Sequence, residues 1–315
     1  MGISQKEWVE LLKEEYFSDF IRSGGSAIRI VTIPESDSDS IIEAVDGAAS
    51  EKQFLVARVN SADVRVDKIE MIFHEVAKQV DWDKITETWL RQKLAENGIL
   101  VDDAVSLDDI QTIADKIYTD KSNALAQIRR IIQNTVFNDR KLSKDFRTAI
   151  TVLCYGHVNR QDVSPTQADL IKMWLKGEKF SLTDLKKLQI YQRVARHNAR
   201  PLIVSLARWL KGAGYSGLVV ILEFHTVMKN LKPYEAPVRY TANNVKDCYE
   251  VLRQFIDDTD KSSNLMMIVV AGPELLSDAK RSLDIYDALK QRTYDDVKVK
   301  DYVNPLNMLV SIEAG

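Results

Sequence analysis

The sequence predicts an α/β protein, a parallel sheet with a large helical insertion, and three observations carry that prediction. Short apolar runs alternate with helical periodicity at both ends of the 315-residue chain. The two later runs, GLVVILEF (217–224) and NLMMIVVAG (264–272), are continuously apolar, as strands covered on both faces are. Between about residues 83 and 212 the strand signal vanishes and helical patterns dominate.

Taking the elements in order, Trp8, Leu11, Leu12, Tyr16 (or Phe17) and Phe20 recur at helical spacing, and Gly24-Gly25 stops that helix before the strand AIRIVTI. The stretch IPESDSDSII (33–42) leads into a helix, IIEAVDGAAS; its Ser and Asp residues suit N-cap positions and its acids complement the helix dipole. QFLVARVN (53–60) is a second strand, and KIEMIFHEVAKQVDW returns to helical spacing through Ile69, Ile72, Phe73 and Val76. Asn97-Gly98 and Ser164-Pro165 punctuate the helical stretch, and NMLVSIEAG adds an edge strand near the C-terminus. The expected division is an N-terminal half of the α/β core at 1–82, a helical subdomain at 83–212 and the C-terminal half of the core at 213–315. Trp8, Trp82, Trp89, Trp174 and Trp209 sit at apolar helical positions and are expected in cores.

Composition excludes several function classes. A formal net charge of −3 with 28% charged residues gives no global attraction to nucleic acid or to an anionic membrane. Cys154 and Cys248 are far apart without CxxC spacing, which argues against a disulfide framework or zinc site and fits a reducing compartment. The start, MGISQKEWVELLKEEYF, lacks the apolar core of a signal peptide, and no segment approaches the roughly 18 apolar residues of a membrane span. A cytoplasmic protein with no membrane contact is expected. His74, His157, His197 and His225 form no HxH or HExxH pattern, so no metal site is expected. Glu35, Asp37 and Asp39 alternate like the start of an EF-hand loop, but Ser40 replaces its glycine and Asp46 its closing glutamate.

One local charge pattern stands out. No acid occurs from Leu185 to Leu222, while Lys186, Lys187, Arg193, Arg196, Arg200, Arg208 and Lys211 accumulate. Arg193, Arg196, His197 and Arg200 follow helical spacing and are expected on one helix face up to a break at Pro201, a surface for an acidic partner or for DNA phosphates.

The succession of strand, phosphate-loop position, helix, strand, helical insertion and two buried strands resembles the layout of P-loop ATPases of the ASCE/AAA-like kind. The segments GGSAIRIV, MWLKGEKFSLTDLKKLQI, LARWLKGAGYSGLVVILEF, MIVVAGPELL and IYDALKQR resemble, in that order, the ATP-binding P-loop family associated with BREX-type phage-defence systems. The resemblance covers most of the chain, thinly at 83–150 and most specifically at 168–293. It implies a Walker A loop after the first strand, a Walker B Asp-Glu pair after the third and a polar residue on the fourth.

This sequence departs from that pattern within each of these three elements. A Walker A loop, GxxxxGK[ST], wraps phosphates with backbone N–H groups and reaches them with Lys. With Ser40 at its last position, Asp39 stands for Lys, Ser38 for the second Gly and Ile33 for the first. Two like charges about 5 Å apart at an effective dielectric of about 20 repel by about 3 kcal/mol, which is on the order of a hundredfold in affinity. In the Walker B comparison Glu223 replaces the cation-binding Asp and Phe224 the catalytic Glu, and Gly272 stands near the polar position of the next strand. Arg292 matches the family's arginine.

The resemblance with these losses implies a degenerate pseudo-ATPase without catalytic residues. It would scaffold or regulate a protein partner, an active ATPase paralogue or a second copy of itself, in a prokaryotic anti-phage or DNA-processing complex. No cofactor is expected on this reading. The alternatives are an atypical ATPase holding ATP and Mg²⁺ through Glu223, and a DNA-binding adaptor using the basic 193–200 helix.

Overall fold

The computed structural model describes residues 3–159, 162–232, 234–293 and 304–313. The chain forms two compact units, Met1–Val76 with Tyr215–Gly315, and Ala77–Gly214.

The first unit opens with α1 (Gln5–Leu11), started by the Ser4 hydroxyl accepting from the Glu7 N–H and continued by a wider π-helical stretch, Leu12–Phe20. The glycine pair that ends it is a geometric requirement. Gly24 has φ +111°, and a Cβ on Gly25 would lie 2.6 Å from the Phe20 carbonyl oxygen. β1 (Ser26–Thr32), a 3₁₀ turn (Glu35–Asp37), α2 (Ser38–Glu51), β2 (Phe54–Asn60) and α3 (Ile69–Lys78) follow. The helical spacing of Ile69, Ile72, Phe73 and Val76 is α3, which stops at Lys78. A separate helix starts at Trp82, where the Asp81 carboxylate accepts from the Lys84 N–H at 3.1 Å.

The second unit is helical: α4 (Trp82–Glu96), α5 (Ile110–Lys116), α6 (Lys121–Ile132), α7 (Lys144–Val158), α8 (Pro165–Lys176), α9 (Leu182–Lys187) and α10 (Arg196–Lys211). Its aromatic centre is Trp209, with ring centroids 6.4 Å from Trp82, 6.1 Å from Trp89 and 6.0 Å from Phe146. All five tryptophans are at most 3% exposed, so the apolar helical spacing did mark cores.

The chain then returns to the first unit with β3 (Gly217–Glu223), α11 (His225–Met228), α12 (Ala242–Asp257), β4 (Leu265–Ala271), α13 (Glu274–Ser277), α14 (Asp287–Thr293) and the short β5 (Leu309–Ser311). The five strands make one wholly parallel sheet in the order β2-β3-β4-β1-β5. All seven residues of β4 are buried between β1 and β3, which explains its uninterrupted apolar run. On one face α1, the π-helical stretch after it and α2 contribute Trp8, Phe17, Ile41 and Val45 to a core with Val31, Ile221 and Ile268. Because every strand runs the same way, all carboxyl ends share one edge. The chain leaves β1 toward β2 on one side and later reaches β5 on the other, so the topological switch point lies at the carboxyl end of β1.

At the opposite edge Asn264 ties three strand starts together. Its N–H donates to Gly25 O (2.9 Å), its side-chain amide to Ile21 O (2.8 Å), and its carbonyl accepts from Leu218 N (2.9 Å). Gly217, at φ +151°, lies so close that a Cβ would collide with that carbonyl. Gly217→Ala is expected to lower stability by about 2 kcal/mol through strain and lost contact, read as a reduced urea midpoint. An unchanged midpoint would show that the corner has slack.

Candidate functional site

The strand ends are held level at the carboxyl edge. Ile33 N donates to Ala271 O (2.9 Å), Phe224 N to Val270 O (2.7 Å) and Ser61 N to Glu223 O (3.0 Å). This register brings the loop after β1, the end of β3 and the end of β4 into one crevice within the first unit.

Pro34 leads the β1 loop into its 3₁₀ turn, where both the N–H and the hydroxyl of Ser38 donate to Glu35 O, the latter at 2.8 Å. Asp37 occupies the N-cap position without a side-chain capping bond. The cap that the Ser/Asp pattern suggests is therefore made by backbone and Ser38. Asp39 is exposed, and the Ser40 hydroxyl accepts from Gln5 Nε2 at 2.9 Å. Glu35 pairs with Lys229 at 2.6 Å, linking the β1 loop to the segment after α11.

Glu223 is half-buried and accepts from Asn60 Nδ2 at 3.0 Å, while Asn60 Oδ1 accepts from the Ala62 N–H. Burial, then the negative charge of Asp39, holds the Glu223 carboxyl above its ordinary pKa; Asp63 adds to this and Arg58 opposes it. Asp39 and Glu223 thus sense one another across the crevice. Phe224 has turned away from it, being 1% exposed and stacked on Tyr249 with centroids 6.2 Å apart. Gly272 is covered: a Cβ there would collide with the Glu274 carboxylate and lie 3.6 Å from His225. His225 is itself buried, with Nε2 3.2 Å from Ile33 O. Asn60, Glu274 and Lys229 carried no sign in the sequence of lying at this edge. Only the strand register makes them neighbours.

A triphosphate needs free backbone N–H groups and a cation. Here no glycine lies between Ile33 and Ser40, the Ser38 N–H is spent on Glu35, and Glu35, Asp39, Asp63 and Glu223 crowd the edge. The opposing Arg58 pairs with Asp46 at 2.6 Å. These residues do not fit the phosphates of a nucleotide. Among the described residues, no group of three or more His, Cys, Asp or Glu side chains is placed to hold a metal ion.

The basic segment also departs from its expected form. α10 starts at Arg196, because the Asn198 side chain reaches back to the Ala195 N–H (2.7 Å) and to Arg193 O (3.1 Å). Arg193 lies outside the helix with its guanidinium 4.5 Å from the Phe180 ring centroid, so it does not share a helix face with Arg196, His197 and Arg200. Pro201 does not break the helix. It falls in the second turn, where its missing N–H leaves a single carbonyl without its helical partner, and α10 runs on to Lys211. His197 Nε2 lies 3.0 Å from Gln192 Oε1. In the first unit, Arg292 is engaged by Asp257 of α12, which also pairs with Arg253, and by Ala288 O.

A family described as BREX system ATP-binding protein BrxC/D matches residues 40–314. The chain belongs to that family. No curated protein and no solved structure matches it. The match overturns the expectation of no cofactor, since a family of ATP-binding proteins points to nucleotide. That expectation treated the charge at one loop as decisive for the whole molecule. Among the described residues no helix is long and apolar enough to cross a membrane.

The Glu223 environment sets a pH dependence. A carboxyl with a raised folded-state pKa favours folding while protonated, and that contribution is lost as pH rises from the unfolded value through the folded one. Asp39→Asn is expected to lower the Glu223 midpoint and shrink the stability lost across that window, seen by carboxyl ¹³C titration and pH-dependent urea unfolding. An unmoved midpoint would mean that Asp39 does not act on Glu223.

Proposed function

We propose that the chain serves a prokaryotic BREX-type phage-defence system as a nucleotide-responsive subunit that does not itself hydrolyse ATP. It works in the cytoplasm by docking protein partners, an active ATPase paralogue among them. The observation that carries this reading is Phe224. The position where the resemblance calls for a water-orienting carboxylate holds a phenyl ring, 1% exposed and packed on Tyr249. A ring with no proton acceptor cannot align an attacking water, and its burial leaves no room for rearrangement.

The sheet supports a P-loop-like fold of the ASCE kind. β1 lies beside β4 and β4 beside β3, so the loop after β1 and the ends of β3 and β4 meet at one edge, as the resemblance requires. The fold is retained while the hydrolytic groups are gone. Glu223, steadied by Asn60, keeps oxygen donors suited to a hard cation. When bound, ATP would supply the energy difference between partner-docked and free states; this chain contributes recognition without bond cleavage.

Phosphate release from ATP and Mg²⁺ by the purified chain is expected to equal the buffer blank. With the ATPase encoded beside it, the chain is expected to form a complex and change that enzyme's turnover. Release that Glu223→Gln abolishes, or neither complex nor altered turnover, would contradict the reading.

A further inference from the structure

A cavity of about 710 Å³ between the segments that follow β2, β3 and β4 gathers positive charge. Arg65, Arg239, Lys280 and Arg281 line it, with Asp278 the acid among them. Arg281 is the informative residue. It is only 7% exposed, yet it donates to neutral acceptors alone: Val227 O (2.8 Å), Tyr240 O (2.8 Å) and Asn230 Oδ1 (3.4 Å). Among the described residues no carboxylate pairs with it, and Asp278 Oδ1 is taken by the Lys280 N–H at 2.7 Å. A buried guanidinium without a counter-charge is costly to keep, and it is relieved by an anion that enters the cavity.

The other walls point the same way. α12, sixteen residues long, opens on the cavity through Thr241, Ala242 and Asn244, so the positive end of its dipole faces inward. Arg65 is held in a two-pronged pair with Asp67 (2.7 and 2.6 Å) and lies over the Tyr240 ring, while Arg239 and Lys280 are exposed at the rim. Leu231 and Val238 add an apolar wall.

We propose that this cavity binds the terminal phosphates of a nucleotide-sized ligand. The volume lies within the range of small-molecule sites. The burial of Arg281 selects a terminal phosphate group, because the backbone phosphodiester of a polymer cannot follow it inward. The inference rests on the proposed function only in taking nucleotide as the ligand class. It moves phosphate recognition from the acidic crevice to the loops beyond it.

The test is calorimetric titration of the full chain with ATP and, separately, with inorganic pyrophosphate. Both are expected to bind the wild type, to weaken at least about tenfold in the rim variant Arg239→Glu/Lys280→Glu, and to be unchanged by Asp39→Asn. Arg281→Met is expected to abolish binding. Where circular dichroism shows that variant misfolded, the exposed rim variant still decides. Binding that ignores the rim reversal but responds to Asp39→Asn, or no binding of either probe, overturns the cavity assignment. Failure here leaves the non-hydrolysing reading intact, because that is judged by the partner's turnover.

Discussion

The parallel pairing of β4 with β1 on one side and β3 on the other is the constraint on which the rest of the molecule depends. Seven register-matched residues join β1 to β4 and six join β3 to β4. The ladders deliver Ile33, Glu223 and Gly272 to one edge whatever side chains those positions carry. Substitution there changes chemistry without moving the scaffold. On the proposed reading, that is how a chain of an ATP-binding family can keep its frame with Asp39 after β1 and Phe224 after β3.

Electrostatics then divides this edge into two neighbourhoods within one unit. Around the β1 loop and the β3 end, Glu35, Asp39, Asp63 and Glu223 outnumber their counter-charges, and the Glu223 carboxyl is held above its usual range. In the cavity lined by the segments after β3 and β4, Arg239, Lys280 and Arg281 outnumber Asp278. For a phosphate the first neighbourhood is repulsive and the second attractive, by about 3 kcal/mol per close charge at a surface-like dielectric. The family's ATP-binding character and the acidic loop after β1 are compatible once these neighbourhoods are considered separately.

The strands were readable in the sequence because burial on both faces of a parallel sheet demands continuous apolar runs, and 217–224 and 264–272 have them. The break between α3 and α4 was not, since it depends on one Asp81 side chain choosing a backbone N–H inside a periodic apolar pattern. The start of α10 was missed for the same reason at Asn198. At the crevice, the identities of Asp39 and Phe224 were plain, but the stacking of Phe224 on Tyr249 and the electrostatic influence of Asp39 on Glu223 depend on residues distant in sequence. The cationic cavity left no local signal: Arg65, Arg239 and Arg281 are far apart in the chain and fall outside the basic segment 186–211.

The central claim is that phosphate recognition has left the β1 loop. A crystal structure of the chain with a non-hydrolysable ATP analogue tests it most directly. Phosphates are expected beside Arg281, with the 3₁₀ turn Glu35–Asp37 and its Ser38 bonds intact. Phosphates laid along residues 34–40, with Glu223 on a bound Mg²⁺, would contradict it.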